Sequence, residues 1–122
     1  MRIIVCGGRG YDDLAAMIGA LRVYQIPTTI VHGGATGADA LADHVARLFN
    51  FQVEIWPADW RSDGKGAGPR RNQRMIDAGA DGLVAFPGGR GTADCVRRAK
   101  RARIEVRRIA PPSAGFPRER AA

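Results

Sequence analysis

Cysteine and histidine are scarce in this chain. Cys6 and Cys95 are its only cysteines, and His32 and His44 its only histidines. Neither type recurs at metal-ligand spacing, so the sequence argues against a zinc site and against a disulfide framework. The two thiols read as free cysteines of a reducing cytoplasm. Long apolar runs are missing too. Ile3-Ile4-Val5 is interrupted by Gly7-Gly8, which excludes a secretory leader of ordinary form. No stretch approaches the roughly 20 apolar residues of a membrane span. Acidic residues are thin at one end only. Residues 1–96 hold ten Lys/Arg and ten Asp/Glu, whereas residues 97–122 hold nine and two, and this end accounts for the net charge of +7.

What the chain has in plenty is glycine. Its 16 glycines are roughly twice average usage, and they follow no collagen or low-complexity period. They cluster instead at 7–10, 33–37, 64–68 and 88–91. A length of 122 residues predicts one domain with a real core. Apolar content of 45% and charged content of 25% predict a soluble globular fold. The domain is expected over 1–110, followed by a loosely packed basic tail over 111–122.

Short apolar runs alternate with amphipathic stretches. Strands are expected at Arg2–Cys6, Thr28–His32, Phe51–Trp56, Gly82–Phe86 and Ile104–Ile109. A helix capped by Asp12 or Asp13 carries Leu14, Met17, Ile18 and Leu21 on one face. A second opens at Thr36 or its neighbour and carries Leu41, Val45 and Leu48. Residues 57–68 read as a loop, and Pro69 suits the first position of a short helix that turns Met75 and Ile76 inward and stops at Gly79. A further helix from about Thr92 to Ala102 places Cys95, Val96, Ala99 and Ala102 inward and Arg97, Arg98, Lys100 and Arg101 outward. This order predicts an α/β, Rossmann-like three-layer fold: a roughly five-stranded parallel sheet with helices on both faces. Ligands of such sheets bind beyond the carboxyl ends of the strands, near the switch in strand order.

Three expected strands end in a glycine pair at that edge: VCGGRG at 5–10, VHGGATGAD at 31–39 and FPGGRGTAD at 86–94. Glycine lets the backbone turn sharply and approach a ligand closely. The helix that follows offers unpaired N–H groups and the positive end of its dipole. Gly7, Gly8, Gly33, Gly34, Gly37, Gly88, Gly89 and Gly91 are therefore expected to cradle an anion, with Thr36 and Thr92 donating a hydroxyl or capping a helix. Any strand-to-helix turn favours glycine, so one pair alone would mean little. Two similar strand–Gly-Gly–Thr–helix units point to phosphate.

Pro87-Gly88-Gly89-Arg90-Gly91-Thr92 resembles the PGGxGT signature of the LOG proteins, which are cytokinin-activating phosphoribohydrolases. Arg71-Asn72-Gln73-Arg74-Met75 resembles that family's R-x-x-x-M helix. The wider group is the SLOG superfamily of Rossmann-like nucleotide-ligand domains, which also includes the DNA-processing protein DprA. The ordered set GGR, HGGATGAD, PADW, GKGAGPRRNQRM and PGGRGTAD, spread over residues 3 to about 109, is most similar to the DUF2493 or YspA-like branch. The resemblance implies a nucleotide-type ligand with phosphate on the 88–92 turn and Arg71 near the sugar phosphate. One departure stands out. The phosphoribohydrolase signature continues to a glutamate, and here that position is Cys95. Asp94 comes one residue early, about 100° round a helix.

Lys65, Arg70 and Arg71 lie on the 64–72 segment expected to close over the ligand, with Asn72 at its end, and Arg9 and Arg90 extend from the glycine turns. Asp39 and Asp94 suit the first turns of helices, and with Asp59 they are also the groups available for acid–base chemistry. Asp94, Asp39 and Arg71 are thus the catalytic candidates. Trp60 is a surface on which a base can stack. Two functions fit this set: a sensor of an AMP-, ADP-ribose- or NAD-like ligand, or a hydrolase acting on one, including N-glycosidic cleavage with altered acid–base groups. No metal and no cofactor besides the nucleotide-like ligand are implied. Nucleic-acid binding through the basic end is the less favoured alternative. Small-residue helix faces permit a homodimer. The expected setting is the cytoplasm, without a membrane contact.

Overall fold

β1 (Arg2–Cys6) alternates its side chains across the sheet: Ile3 and Val5 enter one buried cluster and Ile4 and Cys6 another. A strand buried on both faces must sit in the middle of a sheet, and it does. The computed structural model describes residues 1–111. Its five strands form one parallel sheet in the order β3-β2-β1-β4-β5. The others are β2 (Thr29–His32), β3 (Gln52–Ile55), β4 (Gly82–Ala85) and β5 (Val106–Arg108). Ile4 pairs with Val31 on one side and Leu83 on the other. The expected Rossmann-like α/β architecture is therefore present.

α1 (Leu14–Leu21) and α2 (Ala38–Leu48) cover one face, where Met17, Leu21, Val45 and Phe86 pack with Ile3, Val5 and Ile30. α4 (Ala67–Asp77) and α5 (Arg90–Arg101) cover the other, where Met75, Ile76, Cys95 and Val96 pack with Ile4, Val31 and Leu83. Each large apolar side chain buried in these layers contributes about 1.5–3 kcal/mol. Chain direction across the sheet reverses between β1 and β4, so the crevice at their carboxyl ends is the switch point.

Several local expectations are corrected. Residues 57–68 are largely helical. Asp59 caps α3 (Trp60–Asp63) by accepting the Ser62 N–H at 3.1 Å, and a 3-10 turn (Gly64–Gly66) leads into α4. Pro69 sits in the first turn of α4, where a missing N–H leaves no bond unmade. α2 buries Ala38, Ala42, Val45 and Ala46 and leaves Leu48 exposed, because small residues let that helix lie close on the sheet. Ala102 is also exposed. α5 begins at Arg90, two residues before the expected start, so Arg90, Gly91 and Thr92 form its first turn. The expected basic tail, apart from Pro111, lies outside the described residues.

Candidate functional site

The glycine turns meet one another before they meet anything else. Gly8 N–H donates to the Pro87 carbonyl at 2.8 Å, joining the turn after β1 to the turn after β4. The Gly8 carbonyl accepts the Ala38 N–H at 3.1 Å, and the Thr36 hydroxyl donates to the Arg9 carbonyl at 3.0 Å. A Cβ on Gly7 would lie 2.6 Å from that of Ala38, and one on Gly88 would lie 2.7 Å from the Gly8 nitrogen. Gly37 has φ +71° and would place a Cβ 2.5 Å from the Arg9 carbonyl carbon. These glycines are required by close packing: Gly37 against backbone, Gly7 against the Ala38 and Phe86 side chains, and Gly88 against both Gly8 backbone and the Thr92 side chain. Gly89 and Gly91 are different, because a Cβ there meets nothing within 4 Å.

The turn after β2 supplies its own acceptors, which corrects the expectation of a bare cradle there. Asp39, in the first turn of α2, folds back and accepts the Gly33 and Ala35 N–H groups at 3.0 and 3.2 Å. The Gly34 N–H donates to His32 Nδ1 at 3.0 Å. His32 Nε2 then faces Asp43 at 2.8 Å, and Asp43 also accepts from Arg47. Nor does Thr36 cap a helix: the N-cap of α2 is Gly37, with no side-chain bond.

The turn after β4 is the open one. Gly89 is the N-cap of α5 and no side chain caps that end. Among the described residues, the N–H groups of Arg90, Gly91 and Thr92 have no protein acceptor outside the helix, as expected of a first turn without a cap. They border a cleft of about 560 Å³ at the switch point. Its lining brings together Gly7, Gly8, Arg9, Gly33, Asp39, Arg71, Asn72, Gly89, Arg90, Gly91, Thr92 and Asp94. An adjoining lobe of about 330 Å³ adds Gly34 and Thr36. Gly37, Gly88 and Lys65 do not line either lobe, and Lys65 sits exposed on the 3-10 turn.

Arg71 and Asn72 leave α4 to brace this floor. Arg71 Nη1 donates to the Gly33 carbonyl at 2.7 Å and the Trp56 carbonyl at 3.2 Å, and Nε donates to Asn72 Oδ1 at 3.0 Å. Two of its three nitrogens are thereby engaged, and among the described residues only Nη2 has no protein partner. Asn72 donates to Asp94 at 3.0 Å and to the Gly91 carbonyl at 3.3 Å.

The two acidic candidates differ in kind. Asp94 accepts from Asn72, from Arg98 at 2.9 Å and from Arg97 at 3.1 Å. Burial would raise its carboxyl, but the Arg98 and Asn72 hydrogen bonds and the two guanidinium charges hold it below the usual carboxylate range. A carboxylate so held is a poor proton carrier and a firm brace. Asp39 is 7% exposed. Burial pushes its carboxyl above the usual range, against the pull of the Ala35 and Gly33 amides and of His32 and Arg71.

Sequence reading missed Arg97 and the cleft floor. Arg97 is exposed, as expected, and Arg98 is only a quarter exposed; both bond Asp94, and Arg97 lines the cleft. Their i+3 and i+4 spacing from Asp94 was the available signal. Cys6, Cys95 and Met75 form the apolar floor. The Cys6 thiol is pushed well up by its contact with Cys95 and by burial, so Cys6 is no activated nucleophile.

A doubly wound parallel sheet with a ligand-sized cleft at its switch point defines a Rossmann-like α/β domain. The chain belongs to the YspA, cpYpsA-related SLOG family, whose profile matches residues 1–62. It is also similar to the Gene 61 protein of Mycobacterium phage D29, with 41% identity over 116 residues covering 86% of this chain and 93% of that protein. Membership points to a nucleotide-related function. No helix among the described residues is long and apolar enough to cross a membrane, and no group of three or more His, Cys, Asp or Glu residues among them could hold a metal ion.

Proposed function

We propose that the cleft binds a nucleotide or nucleotide-derived ligand with its phosphate on the first turn of α5. One observation carries this reading: Arg90, Gly91 and Thr92, the first turn of a helix that no side chain caps, line a cleft of about 560 Å³ beside glycines whose Cβ positions are free. Main-chain donors, the helix dipole and the nearby Arg9, Arg71 and Arg97 all favour an anion there. The volume lies within the usual range for small-ligand sites, about 300–1,000 Å³. Asp94 braces Asn72 and the α5 arginines. Asp39, with its raised carboxyl at the cleft wall, is the better placed of the two for proton transfer. Binding without turnover makes the domain a sensor; turnover makes it a hydrolase.

Calorimetry with AMP, ADP-ribose and NAD, read alongside mass spectrometry of the mixtures, separates these. Gly89→Asp puts a carboxylate into the anion turn at a position with room for it, so the fold should survive and affinity should fall at least tenfold. Unchanged affinity overturns the phosphate site. Product formation lost in Asp39→Asn, with ligand still bound, supports a hydrolase; intact ligand throughout supports a sensor.

A further inference from the structure

We infer that Arg9 and Trp60 form a clamp for a planar heteroaromatic ring, so that the cleft selects a nucleotide with its base over a bare sugar phosphate. This rests on the phosphate reading above and adds the other half of the ligand.

Trp60 is 52% exposed, although an indole is costly to leave in water. It is held there by local structure. Asp59 caps the short helix it opens, and the indole edge lies against α4, where a Cβ on Gly68 would come within 3.6 Å of Trp60 Cη2. The guanidinium of Arg9 lies over the indole, with Cζ 5.7 Å from the ring centroid. Among the described residues that guanidinium makes no salt bridge or side-chain hydrogen bond, and the side chain it meets is the ring.

The pair sits where the two lobes of the cleft join, since Arg9 and Trp60 line both. On one side is the first turn of α5; on the other is the smaller lobe, walled by Gly34, Ala35, Pro57 and Ala58, which offers small and flat surfaces. A ligand anchored by phosphate at α5 therefore extends past the indole. Arg9, exposed and free of carboxylates, can swing aside so that a base lies between the guanidinium plane and the ring. Both faces of that slot favour a π system, one by stacking and one by cation–π attraction. Stacking on a tryptophan is sequence-tolerant, so the clamp itself demands only a base, and any choice among bases falls to the rest of the cleft.

The test compares ribose 5-phosphate with AMP, GMP, CMP and UMP by calorimetry and by tryptophan fluorescence. Wild-type protein should bind at least one nucleotide tenfold to a hundredfold more tightly than ribose 5-phosphate, with quenching that Trp60→Phe removes. Trp60→Ala should bring that nucleotide down to the level of ribose 5-phosphate and leave ribose 5-phosphate itself unchanged. Trp60→Phe should recover most of the preference, and Arg9→Ala should lose part of it. Equal binding of nucleotide and sugar phosphate by wild type overturns the clamp while leaving the phosphate site standing. So does a preference that persists in Trp60→Ala, or a loss of both ligands alike in a folded Trp60→Ala protein. If no phosphate compound binds, the phosphate site and the clamp fall together.

Discussion

Gly33 and Arg71 fit each other as backbone to guanidinium: Nη1 donates to the Gly33 carbonyl at 2.7 Å, and a Cβ on Gly33 would sit 2.5 Å from Cζ. Arg71 thereby joins the ends of β2 and β3, through Gly33 and Trp56, to α4. The glycine is there for the arginine, and the arginine holds the cleft wall in place.

Gly33→Ala should therefore mimic the loss of Arg71. Each single change, Gly33→Ala or Arg71→Ala, should cost about 1–3 kcal/mol, the usual range for leaving partly buried polar groups unpartnered. The double variant should cost little more than the worse single one, because both remove the same contacts. Urea denaturation of the four proteins measures this cycle. Additive costs would show that the two residues act separately.

Two glycines of similar appearance should respond in opposite directions. Gly37 combines φ +71° with a close Arg9 carbonyl, so Gly37→Ala should destabilise by more than about 2 kcal/mol through strain and collision. Gly91 lies in the first turn of α5 with open space around its Cβ position, so Gly91→Ala should stabilise by up to about 1 kcal/mol. Thermal melts of the two variants decide the matter, and a stable Gly37→Ala protein would contradict the packing of the turns.

The two cleft carboxylates should give opposite pH profiles. Asp94 is lowered in the folded state. Its stabilisation is present above the ordinary aspartate value of about 4 and is lost as pH falls through the folded value. Asp94→Asn should cost about 2 kcal/mol at neutral pH, from charge-assisted hydrogen bonds, and the gap to wild type should narrow below pH of about 4. Asp39 is raised in the folded state. The native form then holds its proton more tightly than the unfolded chain, so ionisation lowers stability as pH rises from about 4 through the folded value. One Asp39 oxygen accepts both turn amides, which an asparagine oxygen can replace. Asp39→Asn should gain on wild type as pH rises to 8. Urea midpoints from pH 3 to pH 8 test both, and parallel curves for the two variants would contradict the assignment.

Much of the fold was legible because its signals are local. The unbroken apolar run Ile3-Ile4-Val5-Cys6 marked a strand, which the sheet buries on both faces, and Met75 and Ile76 marked the inner side of α4. Asp13 accepts from Ala16 N–H at 3.0 Å as a capping residue should. Where expectation failed, a contact from elsewhere had overridden a local reading. Leu48 looked like core, but the alanines of α2 had already filled the space against the sheet. Lys65 looked like a ligand-closing cation, but on the helical course of 60–66 it lines neither lobe of the cleft.

By itself, the order of residues determined the alternating elements, the parallel sheet and the placing of three glycine turns at one edge, since each follows from periodicity and turn chemistry over a few neighbours. Which of those turns stays open was decided only in three dimensions. Asp39 and His32 reach back to occupy the amides after β2, whereas no side chain caps α5 after β4. Hydrogen-bond partners are set by proximity in space, and a Gly-Gly pair carries no record of whether an acceptor will be waiting beside it.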